Sequence, residues 1–193
     1  MKSNDLRKIR KALKKTLDVK RFEHTVGVEY TAAALAMRYG GDIKNAQLAG
    51  LLHDCAKCLS NDKLLSLCEK HNISINEIER KNPFLLHAKV GSFFAMEEYK
   101  VYEADVINAI LNHTTGRPGM SLLEKIIFIA DYIEPGRKHA PNLKEIRETA
   151  FIDLDKALLM ILKDTLEYLK DSGAECDPMT EKTYLYYFEE SRQ

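Results

Sequence analysis

Apolar residues recur three and four positions apart along almost the whole chain, and that period fits α-helices and little else. Leu6, Ile9, Leu13 and Leu17 make one stripe, and Leu154, Leu158, Ile161, Leu162, Leu166 and Leu169 make another. With 9 Gly and 5 Pro in 193 residues, turn material for a sandwich or barrel is scarce. The expected fold class is therefore all-α, a single-domain helical bundle. A chain of this length buries about 70% of its unfolded surface and needs no disulfides to hold a core.

Capping residues divide the pattern into helices. After the first amphipathic stretch, a second helix is expected from about Lys20 to Tyr39, stopped by Gly40-Gly41. A third runs from Asp42 to about Lys57, and a fourth starts at Ser60 or Asn61 and ends near His71. Pro83 opens a fifth that reaches Tyr99, and a sixth covers Glu103 to His113. Ser121-x-x-Glu124 is a capping box for the seventh, which ends before Pro135. Asn142-x-x-Glu145 caps the next, residues 153–172 form a long helix closed by Gly173, and Thr180 caps a last one.

Charge excludes more than it suggests. Lys plus Arg is 29 and Asp plus Glu is 29, so nothing global argues for a nucleic-acid or membrane partner. Residues 1–21 carry nine basic and two acidic side chains, read as the solvated back of the first helix. No run of about 18 apolar residues is present, and Met1-Lys2-Ser3-Asn4-Asp5 leads into a charged segment rather than an apolar signal core, so a cytoplasmic location is expected. Cys55, Cys58, Cys68 and Cys176 show no disulfide-framework spacing. Cys55-x-x-Cys58 reads as two buried helix cysteines, since a second zinc-ligand pair and a thioredoxin-like strand are both missing.

The chemistry lies in the histidines. Of six, His24, His53, His87 and His113 sit in strongly apolar stretches, as do Asp54 and Asp131, while His71 and His139 sit in polar ones and read as surface residues. Burying imidazole or carboxylate without a partner is costly. A metal ion would partner all six, and imidazole plus carboxylate without thiolate suits iron, manganese or another borderline metal.

The order His24, His53-Asp54, His87, His113, Asp131 resembles the HD-domain superfamily of metal-dependent phosphohydrolases. The strings Arg21-Phe22-Glu23-His24-Thr25-Val26-Gly27-Val28, His53-Asp54-x-Ala56-Lys57, His113-Thr114-Thr115-Gly116-Arg117 and Ala130-Asp131-Tyr132-Ile133-Glu134-Pro135-Gly136-Arg137 are similar to its YqeK-like branch, bacterial symmetrical diadenosine tetraphosphate hydrolases. The likeness spans about residues 5–190. It implies one domain over 1–193, with a metal-binding core at 18–135 and C-terminal helices at 142–193 packed on it.

The same resemblance implies that His24, His53, Asp54 and Asp131 hold one iron, and that Asp54 bridges to a second ion held by His87 and His113. One or two ions are expected, with manganese or another divalent metal as the alternative. His53, Asp54, Lys57 and Arg137 become the expected catalytic set. Arg21, Lys57, His87, His113, Thr114, Thr115, Arg117, Asp131 and Arg137 become the expected substrate contacts. After Arg137 this chain reads Lys138-His139-Ala140-Pro141-Asn142, departing from the family's usual aromatic and Pro-Gly-type turn, and no role passes to His139. The implied reaction is symmetrical cleavage of a dinucleoside polyphosphate to two nucleoside diphosphates, ADP from diadenosine tetraphosphate. Another HD phosphohydrolase acting on a nucleoside triphosphate, cyclic dinucleotide or alarmone stays open, as do a non-catalytic nucleotide-binding helical protein and a homodimer.

Overall fold

A computed structural model describes residues 5–192 and contains helices and turns but no strand among them. The reading of Met1–Asn4 falls outside the described residues. Helix α1 is Leu6–Thr16, α2 Val19–Tyr39, α3 Ile43–Leu52, α4 Asn61–Lys70, α5 Glu77–Lys81, α6 His87–Glu97, α7 Ala104–Asn112, α8 Leu122–Ile133, α9 Leu143–Ala150, α10 Leu154–Ser172 and α11 Pro178–Glu190. A 3-10 turn, Pro83–Leu86, leads into α6. No helix among the described residues is long and apolar enough to cross a membrane.

Short polar side chains start most of these helices. Asp18, Asp42, Ser60 and Asp153 each accept a backbone N–H from the first turn behind them. Ser121 and Glu124 form the expected capping box. Asn76 and Glu79 form another at α5, a short helix that the apolar period had not indicated.

Four expectations need correction. Helix α3 ends at Leu52, so His53 is its C-cap and Asp54 lies in the turn beyond, rather than both being mid-helix. Asn142 stands at the N-cap of α9 in the left-handed region (φ 49°), and its amide donates to Asp164 at 3.0 Å rather than capping the helix. Asp177 caps α11 with Pro178 in the first turn, and Thr180 is buried inside it. Cys55 is buried but Cys58 is exposed, with its thiol 3.3 Å from Asp18 Oδ2.

The main core gathers Leu35, Leu48, Leu51, Leu52, Ile110, Ile126, Ile127 and Ile129 where α2, α3, α7 and α8 meet. A smaller core under α4 and α6 holds Leu64, Cys68, Leu86 and Val90. Helix α1 is tied down by Arg10, whose Nε donates to the fully buried Glu29 of α2 at 2.8 Å. Four helices of the main core thus bring α2 and the ends of α3, α7 and α8 to one place, and α6 joins them from the side.

Candidate metal centre

His24 rises from the first half of α2, His53 and Asp54 follow α3, His87 begins α6, His113 caps α7 and Asp131 is near the end of α8. His53, Asp54, His87 and His113 are buried, and Asp131 has a side chain one-quarter exposed. Helix ends suit this task because their last carbonyls have no intrahelical partner. His53 Nδ1 donates to the Gly50 carbonyl at 2.7 Å, and His113 Nδ1 to the Ile110 carbonyl at 2.7 Å. His87 Nδ1 donates to the Phe84 carbonyl of the 3-10 turn at 2.6 Å. All three bonds reach three residues back.

With Nδ1–H committed, each of these rings turns an Nε2 lone pair inward. His53 Nε2 is 3.4 Å from Asp54 Oδ2. His87 Nε2 is 3.2 Å and His113 Nε2 3.6 Å from Asp54 Oδ1. His24 Nε2 is 3.0 Å from Asp131 Oδ1. Yet His24 Nε2, His53 Nε2 and Asp54 Oδ1 are buried without a hydrogen-bond partner. Acceptors crowded together without donors call for a cation. Two triads lie close enough to hold one, His24–His53–Asp131 and His53–Asp54–His113, and they share His53. The donor set thus fits the metal that the residues imply, and all six expected ligands come together.

The electrostatics agree for Asp54, Asp131 and His87. Burial alone would raise the Asp54 carboxyl, but His53, His113 and His87 outweigh it and hold the group well below the usual carboxylate range. Asp131 is likewise lowered, with burial opposed by the neighbouring His24 and His53 rings. Burial pushes His87 down to about 4, so its ring is neutral and its lone pair available at pH 7. His24 is raised, because Asp131 and Glu134 overcome its burial.

Cations flank the cluster. Arg21 Nη1 lies 2.7 Å from Asp54 Oδ2, and Arg137 Nη2 lies 3.0 Å from Asp131 Oδ1. Lys57 Nζ is 3.3 Å from His87 Nε2, and its pKa is lowered by burial against the opposing pull of Asp54. The Thr114 hydroxyl is 3.3 Å from His113 Nε2. Two expected contacts are placed elsewhere. Arg117 makes a two-point pair with Glu124, at 2.7 and 2.6 Å, and the Thr115 hydroxyl donates to the Gly116 carbonyl. His71 and His139 are exposed, as expected.

Sequence reasoning gave no role to Glu134, which is buried with Oε1 3.1 Å from His24 Nδ1. A carboxylate behind a ligand histidine fixes its tautomer and strengthens it as a donor. The carboxylate is tightly housed: Gly136 N–H donates to Oε2 at 2.5 Å, and a Cβ at Gly27 would stand 2.4 Å from that oxygen. Arg147 of α9 holds the same loop by donating to the carbonyls of Ile133, Glu134 and Arg137 at 2.9, 2.7 and 2.9 Å. Gly27 and Glu134 lie in the same sequence strings as His24 and Asp131, where a small residue and a carboxylate near the histidine are their local signal. Arg147 had no local signal.

The HD domain family model matches residues 21–136. A Bacillus subtilis (strain 168) protein named symmetrical bis(5'-nucleosyl)-tetraphosphatase is 40% identical over 172 residues, spanning 89% of this chain and 91% of the relative. A Halalkalibacterium halodurans protein of the same name is 42% identical over 164 residues, spanning 85% and 87%. A solved structure from Clostridium acetobutylicum, described as a predicted HD superfamily hydrolase involved in NAD metabolism, superposes with a TM-score of 0.92 at 41% identity over 98% of both chains.

Proposed function

This chain belongs to the HD-domain family, and we propose that within it the protein is a metal-dependent hydrolase that cleaves dinucleoside tetraphosphates symmetrically, diadenosine tetraphosphate giving two ADP. Its relatives at 40% and 42% identity carry that activity in their names. The observation that carries the reading is the convergence of buried lone pairs from His24, His53 and Asp54 with no donor among them. His24, His53, Asp54 and Asp131 would hold one divalent ion, and Asp54, His87 and His113 a second. We assign iron, with manganese or another divalent cation as the alternative. All six ligands fall within 18–135, the metal-binding core of this reading, with the C-terminal helices of 142–193 as its support.

Bound ions of this kind polarise a phosphoryl oxygen and bring the pKa of water near neutrality. The chain supplies the rest. The carbonyls of Gly50, Phe84 and Ile110 and the Glu134 carboxylate keep every ligand ring in one tautomer. Arg21, Lys57 and Arg137 offer positive charge around the cluster, where phosphoryl oxygens gain charge during cleavage. Arg137 retains donors beyond its contact with Asp131, since its Nε is buried without a partner. Thr114 adds a hydroxyl on the His113 side.

The test is anaerobic purification with elemental analysis, then a nucleotide panel with product identification. The expected result is bound iron and ADP as sole nucleotide product from diadenosine tetraphosphate. Equal amounts of ATP and AMP would overturn symmetrical cleavage, and metal-free active protein would overturn the metal centre.

A further inference from the structure

A groove of about 1500 Å³ runs away from the metal centre along one stripe of α2. That exceeds the roughly 300–1,000 Å³ of an ordinary small-molecule site. Its near end is shared with the cluster, since His24, Arg21 and Arg137 line it. Lys138 adds a further positive charge there. The floor then passes Gly27, and the far end carries the aromatic rings of Tyr30 and Phe151, 55% and 40% exposed. The groove is therefore cationic where it meets the metal ligands and aromatic where it leaves them.

Both walls are fixed. Arg147 clamps the loop that carries Arg137 through three backbone carbonyls. Arg38 Nε, on α2, donates to the Phe151 carbonyl at 2.7 Å, and Tyr39 donates to the Ala150 carbonyl at 2.8 Å, so the end of α9 is pinned to α2. Tyr30 is also held, with the Arg10 guanidinium 5.4 Å from its ring centre. Such a groove is formed before any ligand arrives.

We propose that this groove takes one nucleoside arm of the dinucleoside polyphosphate, with phosphates at Arg21 and Arg137 and the base against Tyr30 and Phe151. The assignment rests on the hydrolase reading above. It explains why a cluster that needs only a phosphate to work on opens into so long a channel. Stacking on an aromatic face tolerates any base, so this arm selects for a nucleoside and not for adenine in particular.

The test compares wild type with Tyr30→Ala, Phe151→Ala and Ala34→Glu, the last adding bulk and negative charge to the groove lining while removing no contact. Calorimetric titration of metal-loaded protein with ADP should show affinity falling on the order of tenfold in Tyr30→Ala and Phe151→Ala, the usual loss of one stacked base, and falling in Ala34→Glu because the new side chain occupies the groove. KM for diadenosine tetraphosphate should rise by a similar factor with kcat kept, while inhibition by inorganic tripolyphosphate stays unchanged. ADP that binds all four proteins equally, or fails to bind wild type, overturns the groove assignment whatever the turnover. Equal weakening of ADP and tripolyphosphate places phosphate rather than base at the aromatic end and overturns it too. Failure of wild type to release ADP from the dinucleotide would instead overturn the hydrolase reading, and the ADP titration still decides the groove.

Discussion

His87 Nε2 and His113 Nε2 face each other at 3.1 Å, while the Nδ1 of each ring is held by a backbone carbonyl. Asp54 Oδ1 completes the triangle from 3.2 and 3.6 Å. A cation there relieves all three acceptors, and Asp54 Oδ2 reaches toward the His24 and His53 side at once. Asp54→Ala should therefore lose all bound metal by elemental analysis, and His113→Ala should lose only the ion on its own side. Full occupancy in Asp54→Ala would overturn the ligand set. The exposed His71→Ala should leave metal content unchanged.

Metal removal should also be visible as stability. An ion that binds only the folded chain contributes about 2.7 kcal/mol at 100 times its Kd. Stripping with a chelator should lower the Tm, and adding back iron or manganese should restore it. A Tm indifferent to metal would mean that the crowded lone pairs of His24, His53 and Asp54 are satisfied in some other way.

Much of this site was legible because its residues conflict with their surroundings. Four histidines and two aspartates in apolar stretches needed a shared partner, and the folded chain brings all six together. The helices followed from period and caps, with errors where tertiary contacts took over. Asn142 serves Asp164 instead of its own helix, and α3 stops before His53 so that a last-turn carbonyl can orient the ring. Arg117 reads as a phosphate contact from its place after His113, yet its nearest anion is Glu124, seven residues on. Arg147 was invisible, because a clamp on three carbonyls depends on how α9 returns to α8 and leaves no local pattern.

The Lys57 and Arg137 cations should act on turnover rather than on metal. Each flanks a residue of the His/Asp cluster, Lys57 beside His87 and Arg137 beside Asp131. Neutral substitution of either should lower kcat on the order of 10²-fold, the usual effect of losing one preorganised electrostatic contact. Arg137→Lys should recover part of the loss, since an ammonium lacks the planar two-point grip. Metal content should hold in all three variants. Wild-type kinetics in Arg137→Ala would make that arginine a loop anchor alone.

Glu134 should act on metal affinity. It is the carboxylate behind His24, in a place where the other three histidine rings of the cluster have carbonyls. Glu134→Ala should weaken metal binding about 10- to 100-fold, as losing such an outer partner does. Gly27→Ala should reproduce part of that loss, because the new methyl carbon would stand 2.4 Å from Glu134 Oε2. Metal titration of both variants checks the pair, and an unchanged affinity in Glu134→Ala would leave Glu134 a loop-forming residue only.

Glu124 should govern part of the acid sensitivity of the fold. Its side chain is buried, and it accepts from Arg117, Asn112 and the Ser121 backbone, joining the turn after α7 to the start of α8. Burial alone would raise its pKa, but these partners, Arg117 first, bring it below the ordinary value. A depressed carboxylate stabilises the fold above its unfolded pKa, about 4.3, and that contribution is lost as pH falls through the folded value. Breaking a buried ion pair costs about 3–5 kcal/mol. Arg117 is 38% exposed, so solvent screening reduces the expected cost of Glu124→Gln to about 2 kcal/mol at pH 7. Denaturant unfolding across pH should show the gap between wild type and Glu124→Gln narrowing below pH 4, as the wild-type carboxylate takes up its proton. A gap that stays constant down to pH 3 would mean that shape and hydrogen bonding at Glu124, rather than its charge, hold α7 to α8.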